Sequence, residues 1–391
     1  MSLTMSQNGY FMQEHTSYQM CTRCVMDTSD PEITFDAQGH CNHCTSALQR
    51  LEQSYFPDER GRHKLEKLLD EIRQAGKGKP YDCLIGISGG IDSSWLTYKS
   101  RDWGLRPFIF HVDGGWNAEV AERNIGRLLD HLGYELHTYK VDWAEMRDVQ
   151  RAYLESSLAN QDVPQDHLFF AVLFHQAAQM GIKYWLSGSN LVSESILPRA
   201  WGYMAMDARQ LKAIHKRFGH VPLRTFRTLS LWDCFKFYGD MRWLPSVKTI
   251  TPLNLMPYNT TESRAVLTRE VGWEYYGRKH AESRFTKFFQ SYYLPEKFGY
   301  DKRRAHLSSL IVSGEITREQ ALEQLQEPLY DPDELREDKA FILERLGYTE
   351  AQLDEIMSRP NKTYRDYPSW ADWLLAGKKV KGWLRKMKLV P

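Results

Sequence analysis

Residues 84–94, Leu-Ile-Gly-Ile-Ser-Gly-Gly-Ile-Asp-Ser-Ser, pass from an apolar run into a Ser/Gly/Asp loop and then back into helix-forming sequence. Few architectures accept such a segment. Tyr81 to Ile87 suit a buried parallel strand, and Gly89 and Gly90 let the backbone turn with its N–H groups facing a ligand. Ser93 and Ser94 can cap a helix that begins at Trp95-Leu96. A helix N-terminus offers free N–H donors and the positive end of the macrodipole, so the segment is suited to phosphate. No Gly-Lys pair in the chain is followed by Ser or Thr, which excludes a Walker A loop. The competing reading is an ordinary strand–turn–helix connection with no ligand.

Downstream, strand and helix patterns alternate. Pro107 to Val112 form a second buried strand ending in Asp113-Gly114-Gly115. A helix with the apolar stripe Ala121, Ile125, Leu128, Leu129 and Leu132 follows, stopped by Gly133. Tyr134 to Val141 make a third strand. Helices around Trp143–Ser157 and Asp166–Met180 lead to a fourth, Lys183 to Leu186, which ends in Ser187-Gly188-Ser189-Asn190. This alternation predicts an α/β fold, a doubly wound parallel sheet with its ligand site at the carboxyl ends of the strands. Three polar loops then converge on one crevice: 88–93, 113–115 and 187–190. Thr251 to Tyr258 are expected to add a further strand, and 193–220 to form a lid or substrate loop.

Four of the 6 cysteines form Cys21-x-x-Cys24 and Cys41-x-x-Cys44, the spacing of a zinc ribbon in which each pair aims two thiolates at one tetrahedral ion. Two disulfides or an iron–sulfur cluster are the alternatives for the same quartet. His40 and His43 flank the second pair, either as substitute ligands or as surface groups. Cys83 and Cys234 read as small buried thiols.

The organisation that follows is a flexible tail over 1–20, a zinc module with linking helices (Ser46–Gln53, Arg60–Ala75) over 21–75, a nucleotide-binding α/β domain over 76–260, and a helical region over 261–391. Within the last, Glu315–Leu325 and Asp333–Met357 have amphipathic helical patterns. With 51 Lys+Arg against 50 Asp+Glu, the chain presents no global field for a polyanion, so no nucleic-acid partner is expected. The basic stretch Lys378 to Lys388 reads as a solvated helix end. No apolar run is long enough for a membrane span and the first residues are polar, so a cytoplasmic protein without membrane contact is expected. A reducing compartment favours metal over disulfides for the cysteine quartet.

Ser88-Gly89-Gly90-Ile91-Asp92-Ser93 after a strand resembles the pyrophosphate loop of the N-type ATP pyrophosphatases, which split ATP into AMP and pyrophosphate. The paired cysteine knuckles, His111-Val112-Asp113, Gly188-Ser189-Asn190, Phe298-Gly299-Tyr300-Asp301-Lys302-Arg303 and Leu307-Ser308-Ser309-Leu310-Ile311 together resemble the bacterial N-acetyl sugar amidotransferases. These enzymes of O-antigen and pseudaminic- or legionaminic-type pathways convert an acetamido group to an acetamidino group. The resemblance runs from Cys21 to about Leu325. It implies the adenine nucleotide alpha-hydrolase-like sheet, ATP and Mg²⁺ as cofactors beside structural Zn²⁺, a nucleotide-linked acetamido sugar as substrate, and a glutaminase/cyclase-like pair that supplies ammonia.

On this reading Ser88, Gly89, Gly90, Ser93 and Ser94 bind the departing pyrophosphate, where charge develops in the transition state. Asp92 holds the loop or meets Mg²⁺. Asp113 faces the adenosine half, while Gly188, Ser189 and Asn190 face the α-phosphate. Lys287, Lys302 and Arg303 contact phosphate or sugar carboxylate, and His280 and Glu282 are candidates for removing a proton from the attacking amine. Two rival functions remain at this stage: a tRNA-modifying enzyme of the thiolation or lysidine type, and a nucleotide-gated scaffold that senses ATP without consuming it.

Overall fold

The computed structural model describes residues 3–5, 11–13 and 17–370, except 203, 239–246, 278 and 280. In the segment expected to be a flexible tail, β1 (Leu3–Met5) and β2 (Phe11–Gln13) pair as an antiparallel ladder. The basic stretch 378–388 lies outside the described residues.

Five parallel strands form the central sheet: β3 (Cys83–Gly86), β4 (Pro107–Asp113), β5 (Leu136–Lys140), β6 (Tyr184–Leu186) and β7 (Lys248–Ile250), in the order β5-β4-β3-β6-β7. The doubly wound α/β sheet expected from the alternation is therefore present. β3 and β4 are buried along almost their whole length because helices cover both faces, whereas β5, at one edge, alternates between exposed and half-buried residues. The chain order reverses between β3 and β6. That switch point opens a crevice at the carboxyl ends of those two strands.

Local corrections have simple causes. The fifth strand comes just before Thr251 rather than within 251–258. Pro252, lacking an N–H for the ladder, starts a 3₁₀ turn over Pro252–Leu255 instead. The helix after the phosphate loop is Ile91–Asp102, four residues earlier than the serine-cap reading, with Gly90 as N-cap and no side-chain cap. The first linking helix also starts earlier, at Asn42, because the Cys41 sulfur accepts the Cys44 N–H. The 193–220 excursion contains a helix, Ala208–Phe218, whose Leu211 and Ile214 are fully buried in the main core. The 333–357 pattern is two helices, Pro332–Leu346 and Glu350–Ser358, divided at Gly347, which takes φ 68°.

Around the sheet, one core runs under the helices Trp143–Glu155 and Val163–Gln179, and a second lies on the opposite face against Ile91–Asp102 and Glu119–Leu132. The helix Lys302–Ser313 lies between the cysteine module and the segment 191–196. Its Ser308 Oγ accepts from Val25 N at 3.1 Å, and its Ser309 Oγ accepts from Ile196 N at 2.9 Å. No helix among the described residues is long and apolar enough to cross a membrane.

Candidate active site

A cavity of about 590 Å³ occupies the switch-point crevice, within the range of small-molecule sites. Its floor is the loop after β3. Ser93 Oγ accepts from Ser88 N at 3.3 Å and donates to the Gly90 carbonyl at 3.1 Å, while Ser88 Oγ accepts from Gly90 N at 3.3 Å. The serines thus hold the turn in shape. Ser88, Gly90, Asp92 and Ser93 line the cavity, as do Gly188 and Ser189 from the loop after β6.

The glycines are needed for contact. Gly89 takes φ +82°, and a Cβ there would stand 2.6 Å from the Ala121 carbonyl oxygen, so it packs the loop on the helix Glu119–Leu132, and it does not line the cavity. A Cβ on Gly188 would lie 3.0 Å from the backbone of Asp92 and Ser93, so the two loops touch main chain to main chain. Ser94 is buried behind the loop and does not line the cavity. Asp113 is also off the lining, its carboxylate accepting from Gly115 N at 2.8 Å to close its own turn. Asn190 is 3% exposed and acts through Asp92, to which its Nδ2 donates at 3.1 Å.

Asp92 is the hub. It accepts from Asn190 and from the Tyr258 hydroxyl, and pairs with the Lys279 ammonium at 3.2 Å. Lys279 also meets Glu194 at 2.9 Å and Ser193 Oγ at 2.6 Å. Burial by itself would lower the Lys279 pKa, but the Asp92 and Glu194 carboxylates raise it above the usual lysine value. Burial and the neighbouring Asp92 push the Tyr258 phenol well up. Lys279, Glu194 and Tyr258 had no distinguishing signal in sequence. Lys279 sits in an irregular basic segment from which position alone does not single it out.

The other candidates separate. Lys302 lines the cavity with no hydrogen bond or ion pair to any described residue, and burial lowers its pKa. Such an ammonium is suited to an anionic ligand. Glu282 lines the cavity, with Oε1 2.9 Å from where a Gly90 Cβ would be; burial and Glu282 itself push the Tyr276 phenol well up. Lys287 is not in the cavity: it pairs with Glu334 at 2.9 Å and Asp338 at 3.1 Å, joining helix 284–288 to helix 332–346. Arg303 pairs with Asp301 at 2.8 Å and donates to the Glu327 carbonyl at 2.8 Å. His280 lies outside the described residues. Phe110, Phe169, Phe170 and Trp185 also line the cavity, and His111 is held by Ile87 O at 2.8 Å and Asn117 Nδ2 at 2.9 Å. Its Nδ1 therefore donates and its Nε2 accepts, which defines a neutral tautomer.

At the N-terminal module, the four sulfurs of Cys21, Cys24, Cys41 and Cys44 are fully buried and lie within 4.8 Å of one another. Cys21 and Cys44 sulfurs are 3.7 Å apart and Cys24 and Cys41 sulfurs 3.6 Å, far from disulfide bonding. A tetrahedral ion with bonds of about 2.3 Å needs sulfur–sulfur edges of about 3.8 Å, so the quartet fits one ion. A cubic cluster with iron at four corners would hold its thiolates farther apart. The flanking histidines are occupied elsewhere, His43 with Asp30 at 2.5 Å and His40 with Arg23 at 2.7 Å.

Residues 282–381 match the family described as LPS biosynthesis protein WbpG-like, C-terminal domain. Over that stretch the chain is similar to the C-terminal domain of WbpG-like proteins. That region supplies Glu282 and Lys302 to the cavity, so the WbpG-like part and the sheet share one site. No curated protein sequence matches the chain. Among solved structures, a U34-tRNA thiolase, NcsA from Methanococcus maripaludis with its [4Fe-4S] cluster, aligns at 13% identity over 80% of this chain and 91% of that one, with a TM-score of 0.33.

Proposed function

We propose that this protein is an ATP-dependent amidotransferase of lipopolysaccharide biosynthesis that turns an acetamido group of a nucleotide-linked sugar into an acetamidino group. The observation that carries the reading is the serine- and glycine-built loop at the switch point, with Lys302 of the WbpG-matched region lining the same cavity without a direct ion pair to a described residue. An amide is a poor electrophile with a poor leaving group, so it must be activated. The acetamido oxygen attacks the α-phosphorus of ATP and pyrophosphate leaves. Ammonia then adds to the activated carbon and expels AMP, giving the amidine after proton loss. Ser88, Gly90 and Ser93 receive the pyrophosphate, where preorganised donors act on charge as it develops.

Mg²⁺ bound with ATP would supply neutralisation of the phosphate charge beside the loop. Asp92, already engaged by Lys279, Asn190 and Tyr258, fits the role of holding the loop. Glu282 stands over Gly90, where a carboxylate would repel phosphate unless a cation or a proton intervenes. It is thus the group placed to face the metal-bound phosphates or to take the amine proton. In the cysteine module we assign one structural zinc, which supplies folding energy and no open coordination position.

The nitrogen comes from a separate glutaminase. A glutaminase nucleophile must be an accessible thiolate, but Cys83 is fully buried with its thiol pushed well up, and burial with Asp233 pushes Cys234 up to about 11. Among the described residues no cysteine lines the cavity, which disfavours thiolation. The test is incubation with ATP and diacetamido sugar nucleotides plus ammonium salt, read by mass for the loss of roughly one unit as oxygen is exchanged for NH. AMP, pyrophosphate and the lighter sugar are expected together, faster as pH rises and ammonia is freed. Product from glutamine by this chain alone, or no pyrophosphate with any acceptor, overturns the proposal.

A further inference from the structure

A second cavity, of about 300 Å³, reaches the same reaction centre from a different side. It shares Ile91, Asp92, Tyr276, Lys279, Gln290 and Lys302 with the larger one and opens at the surface beside Tyr275, Thr261 and Glu327. Its cations fall into two kinds. Lys279 and Arg303 are neutralised by their own carboxylates, Asp92 with Glu194 and Asp301 respectively. Arg264 and Lys302, at the mouth and the inner end, make no hydrogen bond or ion pair with any described residue.

The Arg264 guanidinium lies over the Tyr275 ring, 4.3 Å from its centroid. Tyr275 is 53% exposed and stacks on Tyr276 with centroids 6.1 Å apart and planes 27° from parallel. A guanidinium braced on an exposed ring, beside a further ring, pairs an anion clamp with an apolar platform. Sugar rings present C–H faces to such platforms, and phosphates or carboxylates meet such clamps. The larger cavity already has a phosphate loop and an aromatic wall for a nucleotide. The smaller one therefore needs a different anionic occupant that reaches the junction at Lys302.

We propose that the second cavity is the acceptor subsite, taking an anionic sugar derivative whose charged end is held by Arg264 against Tyr275 and whose acetamido end meets ATP beside Lys302. This rests on the adenylation reading above. The anion is either the diphosphate of a nucleotide-linked sugar or the carboxylate of an acidic sugar. Both present the same chemistry to the guanidinium.

The experiment uses the full-length protein saturated with a non-hydrolysable ATP analogue, titrated calorimetrically with UDP-N-acetylglucosamine, UDP and glucuronic acid as probes. At least one probe should bind alongside the analogue. Retention by UDP identifies the diphosphate as the handle, and retention by glucuronic acid the carboxylate. Arg264→Ala should weaken that probe on the order of ten- to a hundredfold, as for loss of one charge-assisted contact, with analogue affinity and urea midpoint unchanged. Tyr275→Ala should weaken it by a smaller factor. Binding of none of the probes, displacement of the ATP analogue, or an unchanged affinity in Arg264→Ala overturns the subsite. In turnover the two readings separate. Pyrophosphate release at an unaltered acceptor KM in Arg264→Ala sinks the subsite alone, whereas absent pyrophosphate release with intact, Arg264-dependent probe binding sinks adenylation alone.

Discussion

Replacing Lys279 with Met removes a cation that bridges Asp92 and Glu194, at 3.2 and 2.9 Å, while keeping most of the side-chain volume. Breaking a fully buried pair costs about 3–5 kcal/mol, and an exposed pair is worth about 1 kcal/mol or less. The three side chains are 21%, 15% and 31% exposed, so water screens part of the loss, and a destabilisation of about 2 kcal/mol is expected from intermediate burial. Ligand binding should suffer more. Unit charges about 6 Å apart interact by about 3 kcal/mol at an effective dielectric of about 20, so an uncompensated carboxylate bordering the cavity should weaken ATP by roughly a hundredfold. Urea denaturation and calorimetric ATP titration measure the two effects. Adding Glu194→Gln should recover part of both, because it removes one of the two carboxylates that Lys279 pairs with, and a double-mutant cycle would report the coupling. The reasoning is refuted if Lys279→Met binds ATP with native affinity, or if the second substitution makes matters worse by its full single-mutant cost.

Gly188→Ala should cost about 1–3 kcal/mol, as overpacking does, and depress pyrophosphate release, since its Cβ would meet the Asp92–Ser93 backbone at 3.0 Å; a native urea midpoint would contradict this. His167 is fully buried, its Nδ1 donating to Ala205 O and its Nε2 accepting from Leu229 N, and burial lowers its pKa to about 4. The neutral form is thus the folded one: its contribution is complete above the ordinary value near 6.5 and is lost as pH falls toward 4, by about 3 kcal/mol at most. Urea midpoints should fall across that window, and His167→Gln should flatten the decline; an identical slope in the variant would exclude His167 as the cause. Purified protein should contain about one zinc per chain, lost with the folding of residues 21–44 in Cys41→Ser. Iron with a visible cluster absorption would replace that assignment.

What could be read from the sequence was local. β3, the loop and the following helix announce themselves within a dozen positions, and the cysteine quartet declares its geometry by spacing. Alternation of apolar strands with amphipathic helices carried the sheet class. The site beyond the loop was less legible because its partners meet only in three dimensions. Asp92 draws Asn190, Tyr258 and Lys279 from three separate segments. Residues 272–283 carry no helical or strand period that would orient Lys279, which lines the cavity, and the helix that carries Lys287 is too short for its sequence to say that this lysine joins two helices instead. Asp113 and Ser94 carry suitable chemistry at suitable sequence positions, yet the strand end turns the first into its own loop and the earlier helix start buries the second.

The clasp on the cysteine module has a consequence for how the chain is made. Val25 N donates to Ser308, Arg304 donates to the Val25 carbonyl, and Arg318 donates to the Cys24 and Cys21 carbonyls, across 283, 279, 294 and 297 residues of sequence. Residues 21–44 can capture an ion soon after they leave the ribosome, because all four thiolates lie within that short stretch. Its docking surface lies 279 or more residues further along the chain. Until that surface is made Val25, otherwise sealed against Leu307 and Ala321, is open to solvent. Closure is thus a long-range step, slow by its loop entropy, and it brings Lys302 to the cavity. A chain cut short before residue 302 would keep its metal ligands and its phosphate loop yet lack the cation that faces the cavity.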